Sequence, residues 1–152
     1  MFAEAIRNVI IADAQIRARL ATYAFGSLSG TTTSGGRAGE DAAVFTFVPA
    51  PSDARHPFVT VVETTSAPWG TRAQRGAESA VEISLWGDKT GRTDAALREL
   101  AWMIFRATHR AELALAGYEE WGCVANAPRS QRDADAYPGH VISVRVRSLE
   151  RL

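Results

Sequence analysis

The stretch ESAVEISLWGDKTGRTDAALRELAWMIFRATHR, residues 78–110, joins the two clearest periodic patterns of the chain. In residues 78–86 apolar and polar side chains alternate, which predicts a strand with one buried face formed by Val81, Ile83 and Leu85. In residues 92–110 the spacing predicts a helix whose inner face carries Leu97, Leu100, Ala101, Ile104 and Thr108. A half-buried strand leading into an amphipathic helix favours a sheet with a helix packed on one face.

The turn between these elements, GDKTGRT at residues 87–93, raises the question of a phosphate-binding loop. Such a loop has the pattern G-x-x-x-x-G-K-[ST], because its backbone amides wrap the phosphates and its Lys reaches the outer ones. Here only three residues separate Gly87 from Gly91, and Arg92 stands where the Lys belongs. The turn therefore predicts a helix start, with Asp94 suited to the positive end of the helix dipole. A weak anion contact at this helix start is the alternative.

The remaining patterns complete an α+β domain over residues 1–152. They predict a helix at 3–21 interrupted at Asp13, which could cap its second piece, and strands at 44–48, 58–65, 118–125 and 140–149. Links at 49–57, 67–76 and 129–139 separate the strands, and the glycine-, serine- and threonine-rich residues 26–43 predict a flexible loop. We expect a mixed, mainly antiparallel sheet of four to five strands with two main helices packed on one face.

Composition argues against several classes of function. The 17 Lys and Arg balance the 17 Asp and Glu, so the chain has no general basic footprint for nucleic acid. Cys123 is the single cysteine and is expected to act as a small buried hydrophobe, and no pair of histidines has metal-ligand spacing. His109 is expected to make a favourable contact with the helix dipole. We therefore expect no cofactor, no metal, no membrane span and no enzymatic activity.

Two groups of side chains are candidates for an interface. Trp69, Arg72 and Arg75 cluster in a predicted loop, and Trp and Arg are enriched at binding hot spots. Arg145 and Arg147 share one face of a predicted strand and could meet a phosphate or an acidic partner. The alternative for this second pair is an ordinary solvated face of a half-buried sheet.

The order of motifs resembles the tail-completion, or tail-terminator, proteins of long-tailed phages and gene transfer agents. The resemblance rests on IIADAQI in the first helix, PFVT and ISLW in strands, the turn and helix GDKTGRTDAALRELAWMIF, and the final pair GYEEWGCVANAPRS and HVISVRVRSLE. Each motif alone is weak, and their order and spacing carry the likeness. The departure lies at residues 26–56, where relatives usually reach the PFVT-like strand sooner.

This resemblance implies a structural virion protein made in the bacterial cytoplasm and placed at the tail neck. It implies a homo-oligomeric ring, usually a hexamer, which caps the head-proximal end of the tail tube and stops its polymerisation. The implied partners are the tail-tube protein and a head-tail connector, with DNA passing through the lumen without sequence-specific binding. Another neck component, such as a head-closure or connector protein, is the main alternative, and a small nucleotide-binding enzyme using GDKTGRT is a third.

Overall fold

The computed structural model describes residues 2–24, 40–70, 75–88, 94–113, 117–132 and 137–150. Its helices are α1 (Phe2–Ala12), α2 (Ala14–Arg19) and α3 (Asp94–Thr108). Its strands are β1 (Thr22–Ala24), β2 (Glu40–Ala42), β3 (Val44–Phe45), β4 (Phe58–Gly70), β5 (Arg75–Trp86), β6 (Tyr118–Ala125), β7 (Arg129–Arg132) and β8 (Pro138–Glu150). None of the helices within these ranges is long and apolar enough to cross a membrane.

The main sheet has the strand order β3-β4-β5-β8-β6, with β7 also paired to β8. The β3–β4 pair is parallel and every other pair of the sheet is antiparallel, while β1 and β2 form a separate ribbon. The predicted α+β class is confirmed, but the sheet has six strands instead of four to five. The added strand is β7, which we predicted as part of a polar loop at 129–139. Its polar residues were read as a loop because a short exposed edge strand has no buried face to generate an apolar pattern.

The helices lie on one face of this sheet, and their buried side chains share one core with the strands. All five inner-face residues predicted for α3 are buried, and so is the inner face predicted for β5. On β8 the alternating side chains of Ile142, Val144 and Val146 are buried as well. Asp13 ends α1 and caps α2 as predicted, because its Oδ1 accepts hydrogen bonds from the backbone N–H of Gln15 at 2.9 Å and of Ile16 at 3.1 Å.

Two predicted segments, 44–48 and 67–76, were wrong in extent. The strand predicted at 44–48 ends at Phe45, and Phe47 and Val48 are exposed beyond it. The predicted break at 67–76 is instead the end of a long hairpin, since β4 reaches Gly70 and β5 starts at Arg75. Pro68 is tolerated there because no described strand pairs with the outer side of β4 at that point.

The predicted flexible loop at 26–43 is described only at its end. Residues 40–42 form β2 and Ala43 is buried, so this end belongs to regular structure, whereas residues 26–39 lie outside the described residues. Strand β2 is also held by a buried ion pair, in which the Arg7 Nη2 lies 3.5 Å from Asp41 Oδ2. The Arg7 Nε donates a 2.8 Å hydrogen bond to the Val44 carbonyl. Helix α1 is thereby joined to the β1–β2 ribbon.

The N-terminus of α1 is capped from the sheet. The backbone N–H groups of Phe2 and Ala3 donate to Glu63 Oε1 at 2.6 and 3.1 Å, which satisfies two of the donors that a helix start leaves without partners. Burial raises the pKa of Glu63, but the hydrogen bonds that its carboxylate accepts outweigh burial, and the pKa lies below its ordinary value.

Candidate interaction surface

No described helix or loop covers the sheet face opposite the helices along β5, β8 and β6. We define the open face by Glu78, Ala80, Val124, Arg145 and Arg147. The register brings these residues together, because Ala80 and Val124 both pair with Arg145, and Glu78 pairs with Arg147. Four of them, Ala80, Val124, Arg145 and Arg147, line a shallow groove of about 470 Å³. Val124, on the edge strand β6, is 53% exposed, so the open face offers an apolar side chain to a partner.

The charges of the open face are organised by Glu78. Its Oε2 accepts a 2.7 Å hydrogen bond from the Nε of Arg147, and its Oε1 lies 3.4 Å from the Nε of Arg145. The Arg145 side chain remains 65% exposed. Exposed pairs of this kind contribute about 0–1 kcal/mol to stability, so their main effect is to hold the guanidinium groups in place. The predicted sharing of one face by the two arginines is confirmed, and their role at an interface stays a prediction.

Of the other predicted group, Trp69, Arg72 and Arg75, the described members Trp69 and Arg75 lie at the end of the β4–β5 hairpin. The backbone of Trp69 pairs with Gly76, and Arg75 is exposed at the first position of β5. The side chain of Trp69 and the whole of Arg72 lie outside the described residues. Strand alternation places Arg75 on the opposite side of the sheet from Glu78, so Arg75 is not part of the open face.

The outer edge of β4 is available for pairing along most of its length. Strand β3 covers this edge only at Val59 and Thr60, and no other described strand pairs with it from Val61 to Gly70. Backbone donors and acceptors on such an edge can accept a strand from another chain.

The opposite edge of the sheet, at β6, is partly occupied by the turn after α3. The backbone N–H of Arg110 donates to the Cys123 carbonyl at 2.8 Å, and Nδ1 of His109 accepts from the Ala125 N–H at 3.1 Å. The turn after α3 thus occupies two backbone groups of β6. Because His109 uses Nδ1 as an acceptor and stacks on Phe105, its contact differs from the predicted charge–dipole interaction.

Cys123 lies on this same strand and is buried, as predicted. Its thiol donates to the Thr108 carbonyl at 3.3 Å, so it helps to join β6 to the end of α3. Over the described ranges, no group of three or more His, Cys, Asp and Glu side chains could hold a metal ion.

The GDKTGRT turn is described only at Gly87 and Asp88, and Lys89 to Thr93 lie outside the described residues. Gly87 donates its N–H to the Pro138 carbonyl at 2.9 Å. A Cβ at Gly87 would lie 2.8 Å from Cδ2 of Leu97, so the absence of a side chain lets α3 approach the end of β5. Gly87 therefore allows α3 to pack closely against the end of β5.

Sequence reasoning missed the contacts that organise these surfaces. Glu78, His109 and Arg110 gain their partners from strands distant in the chain. The sequence does contain one signal for these contacts. The polar face of residues 78–86 carries acids, and the polar face of residues 140–149 carries arginines. Pairing these two strands would have suggested the ion pairs between Glu78 and the two arginines.

The chain is similar in sequence to one protein family and in fold to one chain of a solved virion structure. The chain matches the model of the family Tail completion protein gp17 over residues 4–149. Its fold is similar to that of a chain in a structure described as the virion of a native gene transfer agent particle, with a TM-score of 0.67 and 20% identity over 98% of this chain and 94% of that chain. The comparison with curated proteins gives no match. Because the family model spans nearly the whole chain, the protein belongs to the tail completion protein gp17 family and is a structural component of the virion tail.

Proposed function

We propose that this protein is the tail terminator of its particle. It forms a ring on the head-proximal end of the tail tube, ends tube polymerisation and joins the tail to the head-tail connector. It acts through surfaces, without catalysis. The observation that carries this proposal is the family match over residues 4–149.

The edges of the sheet support a ring. A ring requires two different surfaces on each copy that fit one another and close after a fixed number of copies. The described chain offers an uncovered β4 edge on one side and the open face with β6 on the other. Since β6 is partly occupied by the turn after α3, the two sides differ. This difference favours head-to-tail contacts over a symmetric pairing of two identical edges.

The predicted interface residues have defined roles in this proposal. Arg145 and Arg147, held by Glu78, offer guanidinium groups beside the exposed Val124, a combination of charge and apolar area found at protein interfaces. In this proposal Trp69, Arg72 and Arg75 add contacts to a neighbouring copy or to the tail tube. DNA passes through the lumen without being held, which suits a chain of zero net charge.

Imaging of the purified protein, alone and mixed with tail-tube protein, tests the proposal. We expect closed rings of one size in the mixture, bound at one end of each tube. A mixture in which the protein stays monomeric and tubes keep growing would contradict it. Rings that bind the connector but leave tube growth unchanged would assign the chain to the alternative, a head-closure or connector role.

The open face can be tested in the same assay. Arg145→Glu places a negative charge beside Val124 and is expected to weaken ring formation. Arg55→Glu makes the same change of charge at an exposed position of the link between β3 and β4, and it is expected to leave the rings intact. Equal effects of the two variants would remove the open face from the interface.

A further inference from the structure

Helix α3 carries an exposed row of cations around a Trp, on the side turned away from the core. We define the Arg–Trp stripe as Arg98, Trp102 and Arg106. These residues are spaced four apart, so each lies about one turn, or about 6 Å, beyond the previous one along the helix. All three are exposed, and Trp102 is 41% exposed despite its large apolar ring. No part of the proposed ring contact described above uses this stripe.

The Trp at the centre of the stripe is held in place by its own helix. Its ring packs edge-on against Phe105 with centroids 5.4 Å apart, and Phe105 in turn stacks on His109 at 5.2 Å. The T-shaped contact is a favoured geometry for aromatic pairs. A ring fixed in this way loses little conformational freedom when a partner covers it, which is a property of interface anchors.

The positive charges of the stripe are not neutralised by the described side chains. Neither Arg98 nor Arg106 makes a described ion pair, and the acid beside Arg98 on the helix, Glu99, lies 3.2 Å from Arg19 instead. At the Arg98 end the stripe leads into a groove of about 280 Å³. The described polar side chains that line this groove are Arg98, Ser130, Gln131, Arg132 and His140, and no carboxylate is among those described.

We propose that the Arg–Trp stripe docks an acidic segment of a partner protein, with carboxylates at Arg98 and Arg106 and an apolar side chain on Trp102. Charge complementarity selects an acidic partner, because Arg98 and Arg106 are exposed and pair with no carboxylate among the described side chains. Composition selects a protein over a nucleic acid. Two arginines release too few counterions for stable binding to duplex DNA at physiological salt, and the uncharged Trp ring adds no counterion release.

The inference does not depend on the ring, so each can fail without the other. Its test uses the full chain labelled with 5-fluorotryptophan, in which Trp102→Phe assigns the Trp102 resonance by fluorine NMR. The probe is an acetylated and amidated peptide with one leucine between two runs of three glutamates. A peptide with glutamines in place of the glutamates is the control for charge, and a short DNA duplex is the control for phosphates.

We expect the acidic peptide to shift the Trp102 resonance with a dissociation constant of about 1 mM or below in about 150 mM salt. The glutamine peptide should produce no saturable shift. The double variant Arg98→Gln/Arg106→Gln should weaken binding about tenfold or more. Arg55→Gln, an exposed arginine of the β3–β4 link, should leave it unchanged, and thermal unfolding checks that each variant is folded.

Three results would overturn the proposal. One is the absence of a saturable shift with the acidic peptide. Another is an equal loss of affinity in Arg55→Gln and in the double variant, which would show attraction to overall charge. The third is tighter binding of the DNA duplex than of the peptide, which would make the stripe a phosphate-binding surface.

Discussion

Removing one member of the buried Arg7–Asp41 ion pair is expected to destabilise the fold strongly. In the variant Arg7→Met, the Asp41 carboxylate stays buried after losing the guanidinium 3.5 Å away, and the Val44 carbonyl loses its 2.8 Å donor. At 3.5 Å the attraction between the charges is roughly 5 kcal/mol at an effective dielectric constant of about 20, before the cost of desolvation. Breaking such a pair typically costs about 3–5 kcal/mol.

This loss is a large fraction of the roughly 5–15 kcal/mol that stabilises a typical domain. Urea unfolding followed by circular dichroism measures it from the midpoint, with an unchanged m-value showing that the two-state description still applies. Arg19→Met is the matched control, because Arg19 pairs with Glu99 at 3.2 Å but both side chains are largely exposed. We expect that control to cost no more than about 1 kcal/mol.

A second variant separates lost charge pairing from lost packing. In Arg7→Met/Asp41→Asn the buried negative charge is gone, while the Asn oxygen can still accept the 2.8 Å hydrogen bond from the Ala42 N–H. We expect the double variant to be about 1–3 kcal/mol more stable than the sum of the single effects predicts. A loss below about 1 kcal/mol in Arg7→Met, or strictly additive effects, would refute the assignment of the pair as a buried electrostatic contact.

Three further predictions concern single positions. Gly139→Ala should destabilise the fold by about 1–3 kcal/mol, since its Cβ would lie 2.6 Å from the Trp86 ring and 2.9 Å from the Leu85 carbonyl. The control Gly122→Ala should leave stability unchanged, because nothing lies within 4 Å of a Cβ there. Equal unfolding midpoints for the two variants would contradict this prediction. Arg110→Gly should raise the free energy of unfolding by about 0.5–1 kcal/mol, because Arg110 has φ 59° and glycine adopts positive φ without steric cost. Thermal unfolding measures this change, and a loss of stability would count against backbone strain at Arg110. Glu63→Gln should cost about 1 kcal/mol near neutral pH, as for other helix caps. Because the folded-state pKa of Glu63 is lowered, its contribution to stability is present above the ordinary carboxyl range and disappears as pH falls through the folded-state pKa. The stability difference between Glu63→Gln and wild type should therefore vanish in acid. A difference that persists in acid would exclude ionisation of Glu63 as its source.

The core was predictable because periodicity reports burial directly. The residues at helical spacing in α3 and at alternate positions in β5 are buried as expected, and Asp13 caps α2 as its position between two helical patterns indicated. Strand β7 was missed because periodicity cannot detect an element with little burial. Its residues Arg129–Arg132 are polar and mostly exposed, and only pairing with β8 makes them a strand.

The candidate surfaces were less predictable, because they depend on which strands become neighbours. Arg145 and Arg147 were found from alternation within one strand, but Glu78, which holds both, comes from a strand almost 70 residues earlier. The contact of His109 with the Ala125 N–H likewise requires the turn after α3 to meet β6. A sequence pattern gives the face on which a side chain lies, and the tertiary pairing decides what it meets.

The length of the tails made in the absence of this protein tests the proposed function most directly. The measurement is electron microscopy of particles from a producing strain that lacks the gene, with the intact gene restored as the control. A tail terminator predicts tubes longer than those of the control and heads without attached tails. Tails of normal length joined to heads would contradict the proposal.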